Sequence, residues 1–317
     1  MIDRNRIQQQ LSQCLTGTDF TQLGKKYTGK VRDTYDRGDQ LVIITTDRQS
    51  AFDRVLAAIP FKGQVLTQVS QYWFEHTSDI IANHLIAVPD PNVMIVKKCT
   101  VFPVEFVVRG YLSGVTSTSA WTAYQAGERN FCGTVLSDGL IKNQPFVRPI
   151  ITPTTKSDQH DEKIAPAEII NRQLMTATDW EYCAAVALQL FQRGQTIAQQ
   201  HGLILVDTKY EFGKLADGTI LLVDEVHTPD SSRYWLAGTY AEHLANGQEP
   251  DNIDKEFLRL WFMEHCDPYH DAVLPPAPTE LVVELSSRYI QLFETITGQA
   301  FQYPTNHNII DRMQSHL

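Results

Sequence analysis

The sequence predicts an α+β fold in which antiparallel sheets are flanked by helices, and three observations carry that expectation. Two apolar runs, residues 203–206 (LILV) and 220–223 (ILLV), flank Asp217-Gly218, a strong short-range hairpin signal. Thr178-Asp179-Trp180-Glu181 has capping-box spacing and opens a long helix that stops at Gly202, directly before the hairpin. Strand-like runs fill much of the first hundred or so residues, whereas helical patterns near 252–265 and 279–297 complete the chain.

The hairpin segment, 203–235, also carries the most chemistry. Asp207, Lys209 and Glu211 are spaced by two, so a strand continuing through them projects all three from one face. A two-residue turn at 217–218 places Glu211 directly across from Asp224. Two opposed carboxylates destabilise a sheet unless something positive lies between them. Oxygen donors without neighbouring His or Cys suit Mg²⁺ held together with substrate phosphates better than zinc. Lys209, on the same face, is placed to meet a phosphate. The alternative is a solvated hairpin face, but on both strands the apolar run ends where the charges begin, as when a buried sheet leads into a polar site.

Composition narrows the classes. At 317 residues and 43% hydrophobic content the chain buries a sizeable core and has room for two domains. A formal charge of −10 argues against a nucleic-acid or anionic-membrane surface, so any bound anion needs a local basic pocket. The cysteines, 14, 99, 132, 183 and 266, are dispersed and form no C-x-x-C pair, which reads as reduced thiols. The N-terminal stretch is polar, and no run approaches the ~18 apolar residues of a membrane span. A cytoplasmic protein is expected.

Taken in order, residues 1–15 predict a short surface helix, and 25–46 predict two strands about the turn Arg37-Gly38-Asp39. Gly24-x₄-Gly29-Lys30 superficially resembles a phosphate-binding P-loop. Val31 stands where Ser or Thr would hold the metal, and no apolar strand precedes Gly24, so that reading fails. There remains a hairpin with Lys30 and Arg32 on one face and Gly29 permitting close backbone approach, a workable lid over phosphates. Thr45-Thr46 ends a strand and leads into a turn, Asp47-Arg48-Gln49-Ser50, that is either a ligand position or a cap for the next element. Residues 63–80 predict a helix whose Trp73 and Phe74 face the core.

Strands are expected next at 93–98 and 104–108, with Lys97 emerging from the first and Arg109 at the exit of the second, beside Gly110. An arginine there is either an anion fork or an ordinary surface side chain. Ser113, Ser117 and Ser119 precede a helix near 120–125 whose free N–H groups suit an anion. Residues 127–167 read as a long irregular stretch, with Lys156, Asp158, His160 and Asp161 within reach of a site but at no zinc spacing. The turn Thr228–Arg233 again ends in an arginine, and Pro275-Pro276-Ala277-Pro278 separates the last helices.

Five ordered blocks then carry a resemblance: GKVRD at 29–33, TDRQSAFD at 46–53, VVRGY at 107–111, DTKYEFG at 207–213 and DEVHTPDSSRYW at 224–235. The chain resembles the SAICAR synthetase (phosphoribosylaminoimidazole-succinocarboxamide synthase) family of purine biosynthesis over nearly its whole length, in the longer form with extra C-terminal helices. The resemblance implies a two-lobed fold related to ATP-grasp and kinase architectures, with a β-rich lobe at 1–110 and an α/β lobe at 111–317. It implies ATP-dependent ligation of L-aspartate to carboxyaminoimidazole ribonucleotide through an acyl phosphate, with Mg²⁺ on Glu211 and Asp224. Gly29, Lys30, Arg32, Lys97 and Lys209 would serve the nucleotide; Arg109, Ser119, Asp207 and Arg233 the ribonucleotide; and Lys30, Lys209, Arg109 and Arg233 the chemistry. The segment 113–121, SGVTSTSAW, is longer than the compact glycine-serine turn usual there. Small-molecule substrates, no nucleic acid or membrane, and a monomer or small homo-oligomer are expected. Two rivals stay open: a small-molecule phosphotransferase using the same two carboxylates, and a non-catalytic nucleotide-binding module.

Overall fold

The computed structural model describes residues 2–52, 54–156, 162–253, 255–305 and 308–317; Asp53, Asp158, His160 and Asp161 lie outside them. The expected short helix is α1 (Arg4–Gln10), capped by the Asp3 side chain. The chain then builds β1 (Lys25–Thr28), β2 (Arg32–Asp36) and β3 (Gln40–Thr45). The second and third meet across the expected turn, with Gly38 at φ 93°. β3 is apolar because Val42, Ile43 and Ile44 are all buried, as a strand covered on both faces requires.

The segment expected as a turn at 47–50 is largely strand. β4 (Arg48–Ala51) pairs with β5 (Arg54–Ala58), leaving only Thr46 and Asp47 between strands. Asp47 takes the capping role: its carboxylate accepts from Leu15 N at 2.7 Å and from Gly63 N at 3.0 Å, at the start of α2 (Lys62–His76). Burial nevertheless pushes the Asp47 carboxyl up to about 6. Trp73 and Phe74 of α2 are buried, as their spacing implied. β6 (Leu85–Asp90) and β7 (Val93–Lys97) complete an antiparallel sheet of order β1-β2-β3-β7-β6. Asp90, buried at its edge, receives a two-pronged ion pair from Arg312, at 2.8 and 3.0 Å.

The second sheet begins with β8 (Thr100–Val101) and β9 (Val104–Tyr111), so the two sheets part between Lys97 and Thr100. After α3 (Ala120–Gln125), the stretch expected to be irregular contains β10 (Asn130–Phe131), β11 (Thr134–Val135), β12 (Pro145–Ile151) and β13 (Thr154–Thr155). Its prolines read as breakers, yet β12 is an outer strand on β9 with a register break between Pro145 and Ile150, where missing N–H groups are tolerated. α4 (Pro166–Asn171) leads to α5 (Ala177–Gln200). The cap of α5 is Thr176, whose hydroxyl accepts from Asp179 N at 3.1 Å, two residues before the box read from sequence.

β14 (Leu203–Lys214) is the spine of this sheet, pairing with β8, β9, β15 (Ile220–Val223) and β16 (Ser232–Leu236). The hairpin is real but its turn is longer than expected. Leu215 N donates to Thr219 O and Gly218 N to Leu215 O, which makes Ala216-Asp217-Gly218 a three-residue loop with Gly218 at φ 93°. One extra loop residue shifts the register, so Glu211 faces Val223 rather than Asp224. The chain ends through α6 (Ala237–Ala245), α7 (Glu256–His265), α8 (Thr279–Thr297) and α9 (Ile309–Gln314). α2, α5, β9, β14 and α8 share one apolar core that includes Trp73, Phe106, Phe191, Tyr210 and Tyr289. Among the described residues no helix is long and apolar enough to cross a membrane.

Candidate active site

The face of β14 past its apolar half brings Lys209 among three carboxylates. Its ammonium meets Glu211, Asp224 Oδ2 at 3.1 Å and Glu105 Oε1 at 3.4 Å. Something positive does therefore lie between the two hairpin carboxylates, although they are not directly opposed. Asp224 comes just after the last residue of β15, in the left-handed region at φ 66°, which aspartate tolerates better than most non-glycine residues. His84 is packed behind it, held neutral by burial, which lowers its pKa to about 4.

Arg32 reaches this cluster from β2, with Asp224 Oδ1 at 2.7 Å and Glu225 Oε2 at 2.9 Å. Burial opposes ionisation of Asp224, but Arg32 and Lys209 overcome it and hold the carboxyl well below the usual range. Burial likewise opposes charge on Lys209, and Glu211, Glu105 and Asp224 reverse it, so the ammonium stays protonated far above its ordinary pKa. Lys156, from the stretch before the undescribed residues, pairs with Glu211.

A cavity of about 500 Å³ separates this cluster from the β1–β2 turn, whose Gly29, Lys30 and Val31 form its other wall. Arg48 fixes that turn from behind: its guanidinium donates to Gly29 O at 3.0 Å, Lys30 O at 3.1 Å and Thr16 O at 2.7 Å, and pairs with Asp33 at 2.9 Å. Lys30 is exposed at the turn. Gly29-Lys30 leads into β2 and not into a helix, consistent with rejection of the P-loop. Lys97 is exposed at the end of β7 and is not among the residues lining this cavity.

Arg109 lies inside β9 rather than at a strand's exit, and Arg233, expected to end a turn, is the second residue of β16. Both face Asp207, the first from β9 and the second from β16. Asp207 Oδ2 accepts from Arg233 Nη1 at 2.8 Å and from Arg109 Nη1 at 3.4 Å, and Arg109 also donates to Thr152 Oγ1 at 2.8 Å and Thr118 O at 3.1 Å. One carboxylate thus aligns two guanidinium forks. Ser119 is buried, and its hydroxyl accepts from Thr116 N at 3.0 Å. Gly114, at φ 99°, lets this loop close: an added Cβ would lie 2.4 Å from Ser119 Oγ and 3.3 Å from Arg233 Nη1. A smaller cavity of about 120 Å³ opens beside Arg233, walled by Asp230, Ser231, Lys255 and Arg259.

Among the described residues no three His, Cys, Asp or Glu side chains converge as a self-sufficient metal cage. Glu211 and Asp224 nonetheless fit Mg²⁺, a hard cation commonly held by one or two carboxylates that share it with phosphates.

Residues 25–276 match the family model for SAICAR synthetase. The chain belongs to the SAICAR synthetase family. The phosphoribosylaminoimidazole-succinocarboxamide synthase of Legionella pneumophila strain Lens is 62% identical over 309 residues, covering 96% of this chain and 99% of that one. The SAICAR synthase of Saccharomyces cerevisiae, solved in complex with SAICAR, superposes with a TM-score of 0.77 at 31% identity, over 91% of this chain and 100% of that one. A type-2 SAICAR synthetase solved with ADP superposes at 0.67 with 25% identity, over 88% of this chain and 100% of its own. The α+β fold with antiparallel sheets is that of the SAICAR synthases, as the five sequence blocks implied. Sequence reasoning missed Glu105, Glu225, Lys255 and Arg259 as neighbours of these residues. Glu105 was within reach, since it lies four positions before Arg109 and so shares its strand face.

Proposed function

We propose that the chain catalyses ATP-dependent ligation of L-aspartate to the carboxylate of carboxyaminoimidazole ribonucleotide, giving SAICAR, ADP and phosphate in purine biosynthesis. The observation that carries this reading is Lys209, held cationic among Glu105, Glu211 and Asp224 across a 500 Å³ cavity from the Gly29–Val31 turn. Membership of a ligase family supports it over a phosphotransferase or a non-catalytic nucleotide-binding module.

The geometry suggests a role for each residue. Gly29, Lys30 and Arg32 cover the phosphates of ATP from the N-terminal lobe, and residues 111–317 supply the floor. Glu211 and Asp224 would hold Mg²⁺, which offsets charge on the transferring phosphoryl group. Arg109 and Arg233, aligned by Asp207, bind the ribonucleotide, with the Ser119 loop closed against them. A carboxylate is a poor electrophile, so one of its oxygens first attacks the γ-phosphorus and ADP leaves. The neutral amine of aspartate then attacks the acyl carbon, and phosphate departs with that oxygen. Lys209, an ammonium paired with Glu105, Glu211 and Asp224, supplies positive charge near the transferring group, and the amine proton passes to solvent or to a nearby carboxylate. We place the reaction in the cytoplasm, a setting that suits the five free cysteines.

The test is isotopic. With ¹⁸O in the substrate carboxylate, the released phosphate carries one labelled oxygen, and ADP release depends on the ribonucleotide. Unlabelled phosphate alongside authentic amide product would refute the acyl phosphate.

A further inference from the structure

Asp230 lies fully inside the loop between β15 and β16, three residues before Arg233, and three elements converge on its carboxylate. Lys62 of α2, itself 0% exposed, pairs with Oδ2 at 2.7 Å. Lys255, just before α7, meets Oδ1 at 3.2 Å. The Tyr289 hydroxyl of α8 donates to the same Oδ1 at 2.6 Å and lies 3.3 Å from Gln49 Oε1. The first two bonds neutralise a buried acid, but a tyrosine adds no charge. Its contribution is directional: the short bond fixes the orientation of the oxygen that Lys255 uses.

The position of Lys255 matters because its side chain walls the small cavity beside Arg233, together with Ser231 and Arg259. That cavity, about 120 Å³ in volume, is lined by three cations, Arg233, Lys255 and Arg259, and by the carboxylates that pair with them, Asp207, Asp230 and Glu256, so an acidic group enters it by exchanging with one of these ion pairs. Burial pushes the Lys255 ammonium down from its ordinary pKa, Asp230 opposes the shift, and Arg259 and Lys62 reinforce it. The charge of Lys255 in the cavity wall therefore depends on how Asp230 is held. α8 lies beyond residue 276, where the family match ends. Its Tyr289 is nonetheless fully buried against the loop that carries Arg233.

We propose that Tyr289 is a positioning residue for the ligation: through Asp230 it holds Lys255 in the wall of the cavity beside Arg233, where an acidic group of the ribonucleotide or of aspartate binds. This rests on the ligase reading. Tyr289 touches no reacting atom, and its effect falls on the acidic acceptor substrates and not on ATP.

The test compares full-length wild type with Tyr289→Phe, which keeps the ring and removes only the hydroxyl. KM for the ribonucleotide, for L-aspartate and for ATP is measured separately, with kcat and Tm. The expected result is a KM raised roughly tenfold for one of the two acidic substrates, the scale typical of an orienting hydrogen bond behind a binding group. KM for ATP should stay within about twofold. In a Lys255→Met background the Tyr289→Phe effect should vanish, because the pathway it acts through is gone. Ser287→Ala, which removes a buried hydroxyl of α8 bonded to Val283 O without touching Asp230, should leave every KM in place. Equal shifts in all three KM values, no shift, or an effect that persists without Lys255 would each overturn the proposal while leaving the ligase reading intact. Absence of aspartate-dependent ADP release from wild type would instead overturn the ligase reading, and this one with it.

Discussion

Lys209 sits among Glu105, Glu211 and Asp224, so removing one charge from this group disturbs the others. Glu211→Gln or Asp224→Asn should leave the fold intact and abolish turnover, since each removes a metal-binding charge with little change in volume. The expected loss is several kcal/mol of transition-state stabilisation, read as kcat/KM at saturating Mg²⁺. Near-normal rates at limiting Mg²⁺ would sink the metal assignment. Arg109→Lys and Arg233→Lys keep the charge but lose the planar fork aligned by Asp207. Ribonucleotide affinity should fall by about 1.5–3 kcal/mol in each, measurable by calorimetry. Unchanged affinity in both would return these arginines to a structural role. Asp207, Lys209 and Glu211 were visible in sequence because period-two spacing on one strand is a local property. Lys255 and Tyr289 were not, because only tertiary packing brings α7 and α8 to Asp230.

At the scale of elements, α5 and β14 were legible because each is long and carries its own periodicity. β10, β11 and β13, of two residues each, have no room for a pattern, and α9 depends on Arg312 gripping the first sheet. The hairpin shows how far a local rule reaches. Asp217-Gly218 identified the turn, but one extra loop residue decided which side chain faced Glu211. Gly194, in the middle of α5, exposes the opposite limit. Helix propensity alone predicts that Gly194→Ala gains about 1 kcal/mol. A Cβ there would lie 2.4 Å from His227 Cε1 and 2.6 Å from Leu205 Cδ2. Overpacking of this kind costs about 1–3 kcal/mol, so the variant should be net less stable, with a lower urea midpoint at unchanged m. A raised midpoint would show that the helix can move away from β14.

For the whole molecule, buried titratable groups set the response to acid. His227 is fully buried against Tyr210 and Trp73, and burial lowers its pKa to about 3. An unfolded histidine titrates near 6.5, so between those values the unfolded chain binds more protons. Stability is therefore full above about pH 6.5 and is lost as pH falls toward 3. Asp47, with its pKa raised to about 6, acts in the opposite sense, losing stability as pH rises from near 3.8, and offsets part of the slope. At pH 4.5 the His227 contribution alone should be a loss of about 2–3 kcal/mol. His227→Asn tolerates the same left-handed backbone, φ 49°, and should flatten the stability profile between pH 6.5 and 4.5; an unchanged slope would assign the acid response elsewhere. The Asp90–Arg312 pair has a different consequence, for the order in which the protein is made. The first sheet leaves the ribosome early, but the guanidinium that neutralises Asp90 is 222 residues further along. Until it arrives, Asp90 either stays hydrated, leaving that edge unsettled, or is buried with no cation and only the Asn92 N–H on its carboxylate, at a cost of several kcal/mol. Completion of the first sheet is thereby tied to the synthesis of α9, and a chain stalled before α9 would present that edge to chaperones and proteases.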